Sequence, residues 1–247
     1  MTGVSWLSMR TSPRSPARRS TWEAIDVGGC QLLPGLVDSH THLEMPTMGT
    51  VTADDFDSGT AAAAAGGTTS IVDLALQTEG SLLTGIDTWT DNARNKAHVD
   101  YGFHVAITDA SPLAITEMAE AVARGVTSFK VFMAFKGSFL ADDQQLLGVL
   151  RRTGEVGGLV QVHAENGDAI DLNINDALAR GETSPSSHAT TRPDTTEKEA
   201  TARAIHLASW AKRPIFASTS RQHRPSGKSS RRDPADCRST AKHASIT

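Results

Sequence analysis

An α/β fold is predicted for this chain: most of a TIM-like (β/α)8 barrel, with about six of the eight βα units. Three observations lead there. From residue 29 to 216 the apolar pattern switches between short β-type runs and longer helical ones. The first five strand centres, near Val37, Ile71, Phe103, Phe129 and Val160, stand 34, 32, 26 and 31 residues apart, the rhythm of successive βα units in a parallel sheet. No glycine-rich dinucleotide fingerprint follows the first strand, which places a doubly wound sheet second.

In chain order the strands read CQLLPGLVDSH (30–40), TTSIVDLAL (68–76), YGFHVAI (101–107), TSFKVFMAF (127–135), LVQVHAE (159–165) and RPIFAS (213–218). Between them lie the helices DFDSGTAAAAAG (55–66), LTGIDTWTDNARNKA (83–97), PLAITEMAEAVARG (112–125), DDQQLLGVLRR (142–152) and TTEKEATARAIHLASWAKR (195–213). Gly66-Gly67, Gly125 and Gly181 are the expected helix stops. The run Ala61–Ala65 propagates a helix well, and its small side chains predict close packing on the sheet.

Composition narrows the function classes. The 247 residues carry 24 Lys+Arg against 28 Asp+Glu, and 38% are apolar, enough for one large core or two modest ones. No apolar run approaches the ~18 residues that a membrane span needs. Two cysteines, Cys30 and Cys237, do not make a disulfide framework, which predicts a reducing, cytoplasmic setting. Charge is unevenly placed. Residues 1–20 hold four arginines and no acid, and residues 217–247 hold seven Lys+Arg against two Asp. The stretch between them has 13 basic and 26 acidic residues, a net charge of −13 that argues against a phosphate-backbone partner. Arg/Ser-rich ends admit readings as nucleic-acid arms or a transit peptide, but without interleaved aromatics disordered extension is the preferred one.

The sharpest chemical feature is His40-Thr41-His42 at the end of the first strand. In extended chain, residues i and i+2 project to one face, so both imidazoles can reach one metal; a hydrogen-bonded surface pair is the other reading. Lys130 lies inside the apolar run Ser128–Met133. Burial of an unpaired ammonium is costly. Lys130 is therefore either a strand-end lysine reaching solvent or a neutral amine able to capture carbon dioxide as a carbamate. His163 ends the fifth strand, as a core histidine or a third ligand. His104, His188 and His206 are weaker candidates, His188 on a loop and His206 on a helix. Glu44, Asp54, Asp55 and Asp73 are explained by capping or solvent exposure. No Gly-x-Ser-x-Gly elbow, P-loop or Cys-x-x-Cys occurs.

Several of these runs together carry a resemblance. PGLVDSHTHLEMP, GTVTADDFDSGTAAAAAGGTTSIVDLAL, VDYGFHVAI, GVTSFKVFMAFK, VQVHAENGD and HATTRPDTTEKEA resemble, in order over about residues 23–216, the dihydropyrimidinase/hydantoinase branch of the amidohydrolase superfamily. The resemblance implies a metal-dependent hydrolase barrel beside a small β-rich domain. It also implies hydrolysis of the ring amide of dihydropyrimidines or 5-substituted hydantoins to N-carbamoyl amino acids. It further implies two divalent metal ions, expected to be zinc, with His40 and His42 on the first, carboxylated Lys130 bridging, and His163 on the second. Partners implied are a small cyclic amide and, in the family, three further copies in a homotetramer, with neither nucleic acid nor membrane.

Two departures accompany it. Phe135 stands where the family has a tyrosine whose hydroxyl stabilises the oxyanion, and Phe216-Ala217-Ser218-Thr219-Ser220 stands where a further metal-binding histidine is expected. The expected organisation is residues 1–22 as a disordered or residual piece of the β-rich domain, 23–216 as partial barrel, and 217–247 as a disordered tail outside the family pattern. Both ends are expected to be out-of-frame translations. With permitted codons, Ala217–Ser220 shifts to Q-H-V, and Asp236–Thr247 shifts to G-L-P-V-Y-G-E-T-R-E-H-H, similar to the family's next strand. On this reading the 247-residue chain is not a competent catalyst. The alternative from another class is a non-catalytic scaffold like the collapsin-response mediator proteins; retention of His40, His42, Lys130 and His163 favours the enzyme lineage.

Overall fold

The structure is a computed structural model that describes residues 31, 33–47 and 49–218; its larger compact unit begins at Leu36. The expected disordered ends, apart from Ala217 and Ser218, and both cysteines lie outside the described residues.

Six parallel strands form the main sheet: β1 (Leu36–Thr41), β4 (Thr68–Leu76), β5 (Asp100–Ala106), β6 (Ser128–Phe132), β7 (Leu159–His163) and β8 (Ile215–Ala217). A two-stranded antiparallel ribbon, β2 (Pro46–Thr47) with β3 (Thr50–Val51), follows β1 and was not foreseen from sequence, where so short a pairing leaves no periodicity. The sheet order β1-β4-β5-β6-β7-β8 is the chain order. A doubly wound sheet reverses its order at a switch point; this one never does, so the barrel arrangement holds and the open-sheet alternative falls.

The connecting helices are α1 (Phe56–Ala65), α2 (Leu82–Ala93), α3 (Pro112–Ala123), α4 (Asp143–Val156), α5 (Gly167–Ala179), one-turn α6 (Ser187–Thr190) and α7 (Asp194–Ala211). Each amphipathic helix buries one stripe. On α4 it is Leu146, Val149, Leu150 and Thr153; on α7 it is Ala200, Ala204 and Ala208, whose small side chains let an 18-residue helix approach closely. These stripes meet Phe129, Val131, Met133, Val160 and Val162 from the strands in one core. Gly67, Gly125 and Gly181 adopt φ of 86°, 93° and 74°, the left-handed backbone that ends helices.

Three sequence readings need correction. The alanine run does form helix, but α1 buries only Phe56 and Thr60, and Ala61, Ala62, Ala64 and Ala65 stay exposed. Its contact with the sheet is made by the first turn and by Ala63, one stripe i, i+4, i+7. Within the described residues the first strand starts at Leu36, after Pro34-Gly35; Cys30, where the sequence run begins, lies outside them. His188 sits in the short helix α6 and not in a loop. Among the described residues no helix is long and apolar enough to cross a membrane.

Candidate active site

Alternation along the strands decides what faces the site. Phe129, Val131 and Met133 of the β6 segment pack under the helices, so Lys130 and Phe132 point to the opposite face. The same parity selects His40 and His42 at the end of β1, Leu74 and Leu76 on β4, and His163 at the end of β7. All of them line one cavity of about 610 Å³ at the C-terminal ends of the strands, together with Phe135 and Phe139. Four predicted ligand positions and the predicted oxyanion position thus share one wall, where barrel enzymes keep their chemistry.

The His40 and His42 rings lie edge to face with centroids 4.9 Å apart. Burial, then the Lys130 charge, pushes His40 down to about 4; the same two causes, in that order, lower His42. Both imidazoles are therefore neutral near pH 7, the form that binds cations. Lys130, 2% exposed, is pushed down by burial to about 8. Its ammonium contacts the Ser218 hydroxyl and lies 5.5 Å from the centre of the Phe132 ring. His163 pairs through Nε2 with Glu165 Oε2 at 2.9 Å and faces the Phe135 ring, centroids 5.1 Å apart. Phe135 has φ of +64°, an unusual backbone for a bulky side chain, with a strain of order 1–3 kcal/mol. It brings a purely apolar ring to the site.

Fit to a metal is tested by the donors themselves. His42 Nδ1 is buried without a hydrogen-bond partner, an arrangement that a cation would complete. Among the described residues no three His, Cys, Asp or Glu side chains form a ready cluster. The donor set is instead a histidine pair, a third histidine across the cavity, and a lysine on the strand beside it. The neutral imidazoles suit a divalent ion, and Lys130 does so only once it has lost its proton.

Other candidates fall elsewhere. His104 lies inside the sheet below the cavity: its Nε2–H donates to the Ser39 carbonyl at 2.9 Å, and Nδ1 accepts from the Ser128 hydroxyl and from Gln161 Nε2. His188 contacts Arg192, and His206 stays on α7. Asp55 caps α1 through a reciprocal pair with Ser58, and Asp54 accepts from the same hydroxyl. Glu44 accepts from the Phe56 amide and pairs with Lys96 at 2.8 Å. Asp73 is neither a cap nor exposed: it is wholly buried, with burial raising its pKa against hydrogen bonds from Thr41, Leu43, Trp89 and Leu74. Sequence reasoning misassigned Asp73 and missed Gln161 and Phe139; an acid inside the apolar strand TTSIVDLAL was the available signal.

The chain, a parallel barrel sheet with histidines and a buried lysine at its strand ends, belongs to the Amidohydrolase family, which it matches over residues 31–229. Within the family it is similar to the D-hydantoinase of Streptomyces coelicolor, 50% identical over 193 residues, covering 78% of this chain and 41% of that protein. The dihydropyrimidinase of Dictyostelium discoideum is 46% identical over 196 residues, covering 78% of this chain and 39% of its own. Among solved structures, D-hydantoinase from Bacillus sp. AR9 superposes with a TM-score of 0.76 at 52% identity, over 78% of this chain and 42% of that one. The chain therefore spans about two fifths of the length of the relatives it matches.

Proposed function

We propose that the site is that of a cyclic amidase, built to hydrolyse the ring amide of dihydropyrimidines or 5-substituted hydantoins to N-carbamoyl amino acids. The observation that carries this is the convergence of His40, His42, Lys130 and His163 on one cavity at the strand ends. Similarity to proteins named D-hydantoinase and dihydropyrimidinase supports it. His40 and His42 would hold one divalent ion and His163 a second, both expected to be zinc, with Lys130 as a carboxylated bridge. Ions held there would supply an acidified water and a polarised ring carbonyl. The chain's own residues do the rest. His40 and His42, kept neutral by burial, present nitrogen lone pairs. Phe132, Phe135 and Phe139 exclude water from the ring-binding side. Lys130 is held in apolar surroundings where its free amine is accessible at moderate pH.

The 247-residue chain itself is proposed to be inactive. Phe135 offers no hydroxyl to a developing oxyanion, and β8 ends at Ala217, followed by Ser218, where the resemblance implies another histidine. The same Phe135 favours a second reading, a non-catalytic scaffold of this fold. Metal content separates the two. Chain purified without chelator and then titrated with Zn2+ is expected to bind it, and His42→Ala to bind less; a wild-type chain that takes up no Zn2+ or Co2+ would refute the amidase site. Ring opening of dihydrouracil or hydantoin by the 247-residue chain would refute its inactivity.

A further inference from the structure

Asp73 is a buried carboxylate, 0% exposed, on the strand face it shares with the buried Ile71 and Ala75 and in contact with the buried Trp89. Its carboxylate's partners are a hydroxyl, two backbone amides and an indole, none of them cationic. Oδ1 accepts from Thr41 Oγ1 at 2.8 Å and from the Leu43 amide at 3.0 Å; Oδ2 accepts from Trp89 Nε1 at 3.1 Å. An ionised group in such a place is costly, and an apolar residue of similar size would avoid the cost. General stability is therefore a poor account of its presence.

Its position offers a better one. Thr41 and Leu43 flank His42, and Thr41 also lies between the two histidines. Among the described residues β1 is an edge strand, paired only with β4 in the sheet. Its pairing slips between Asp38 and Thr41, where the ladder is irregular, and resumes with Thr41 opposite Asp73. Alternation puts His40 and His42 on one face, but at that slip strand pairing alone does not hold that face toward the cavity. Asp73 gathers the hydroxyl before His42 and the amide after it onto one oxygen, from the helix side of the sheet. His104 holds the Ser39 carbonyl from the inner side. Trp89 on α2 in turn fixes the carboxylate.

We infer that Asp73 is the positioning residue that sets the His40–His42 pair toward the cavity, through Thr41 and the Leu43 amide. This rests on the proposed metal site for its purpose, but not for its geometry. The test uses the 247-residue chain with Thr41→Val, Thr41→Ser and Asp73→Asn, read by Co2+ titration and by imidazole ¹H–¹⁵N spectra without metal. Thr41→Val is expected to weaken Co2+ binding ~10- to 100-fold, the usual effect of losing an outer-shell partner. It should also shift or split the His40 and His42 ring signals while leaving those of His188 and His206 in place. Thr41→Ser, which keeps the hydroxyl, restores both readouts. A folded Thr41→Val chain with wild-type Co2+ affinity and ring signals would overturn the inference. Should Asp73→Asn fail to fold, the Thr41 pair decides alone. Should the wild-type chain bind no Co2+, the metal reading falls, and the ring signals still decide whether Asp73 sets the pair.

Discussion

Replacing Lys130 by methionine should make the metal-free chain more stable at neutral pH, although it removes the most reactive group in the cavity. The amine is 2% exposed, and burial lowers its pKa from 10.5 to about 8. At about 1.36 kcal/mol per unit, holding the proton in the folded state below pH 8 costs about 3 kcal/mol. The folded pKa lies below the unfolded one, so between pH 8 and 10.5 the unfolded chain keeps a proton that the folded chain has shed, and stability rises with pH. The penalty is complete below pH 8 and gone above 10.5. Lys130→Met removes it, a gain of about 3 kcal/mol at pH 7 that shrinks across that window, and the lost Ser218 contact leaves a net lead of about 2 kcal/mol at pH 7. His40 and His42 are neutral there in both proteins and cancel from the difference. Loss of the contact to Ser218 subtracts about 1 kcal/mol at every pH and leaves the slope alone. Urea unfolding in chelator at half-unit steps from pH 7 to 11 measures this. A difference that stays flat, or grows with pH, would refute the claim that Lys130 is buried without a counter-charge.

Gly85 on α2 sits against the end of β4, where an added Cβ would lie 2.1 Å from the Leu76 carbonyl oxygen. Gly85→Ala should therefore lower the urea midpoint by ~1–3 kcal/mol of stability, despite alanine's better helix propensity. Asn166 caps α5 by accepting from the Ala169 amide at 3.0 Å; Asn166→Ala should cost ~1 kcal/mol in thermal unfolding, and no change would remove the cap from the account. In a chimera that adds the remaining barrel of the Streptomyces relative, Phe135→Tyr should raise kcat by up to ~10²-fold with little change in KM, since an oxyanion donor acts chiefly in the transition state. An unchanged kcat would mean that another donor already serves.

The sequence by itself determined the parallel βα order, because strand spacing and glycine stops are local properties and survived in the fold at Gly67, Gly125 and Gly181. It also marked His40 and His42, which alternation puts on one face, Lys130 as a cation inside an apolar run, and His163 as a histidine at a strand end. Helix α5 was legible only through its stop at Gly181, because its own run, GDAIDLNINDALA, mixes polar and apolar residues too evenly to show a stripe. Tertiary structure alone decided the rest. Whether Lys130 reaches solvent or stays buried depends on the cavity wall formed by β1 and β7, outside its own segment. Asp73 looked like a capping or surface acid until β1 was laid beside β4, with Thr41 opposite it and Trp89 brought in on α2. Hydrogen bonds spanning 16 to 32 residues leave no periodic trace in sequence, since each partner is an ordinary residue in its own neighbourhood. Their meaning arises only when the sheet and helices bring them together in an apolar layer, where every polar group must find a partner.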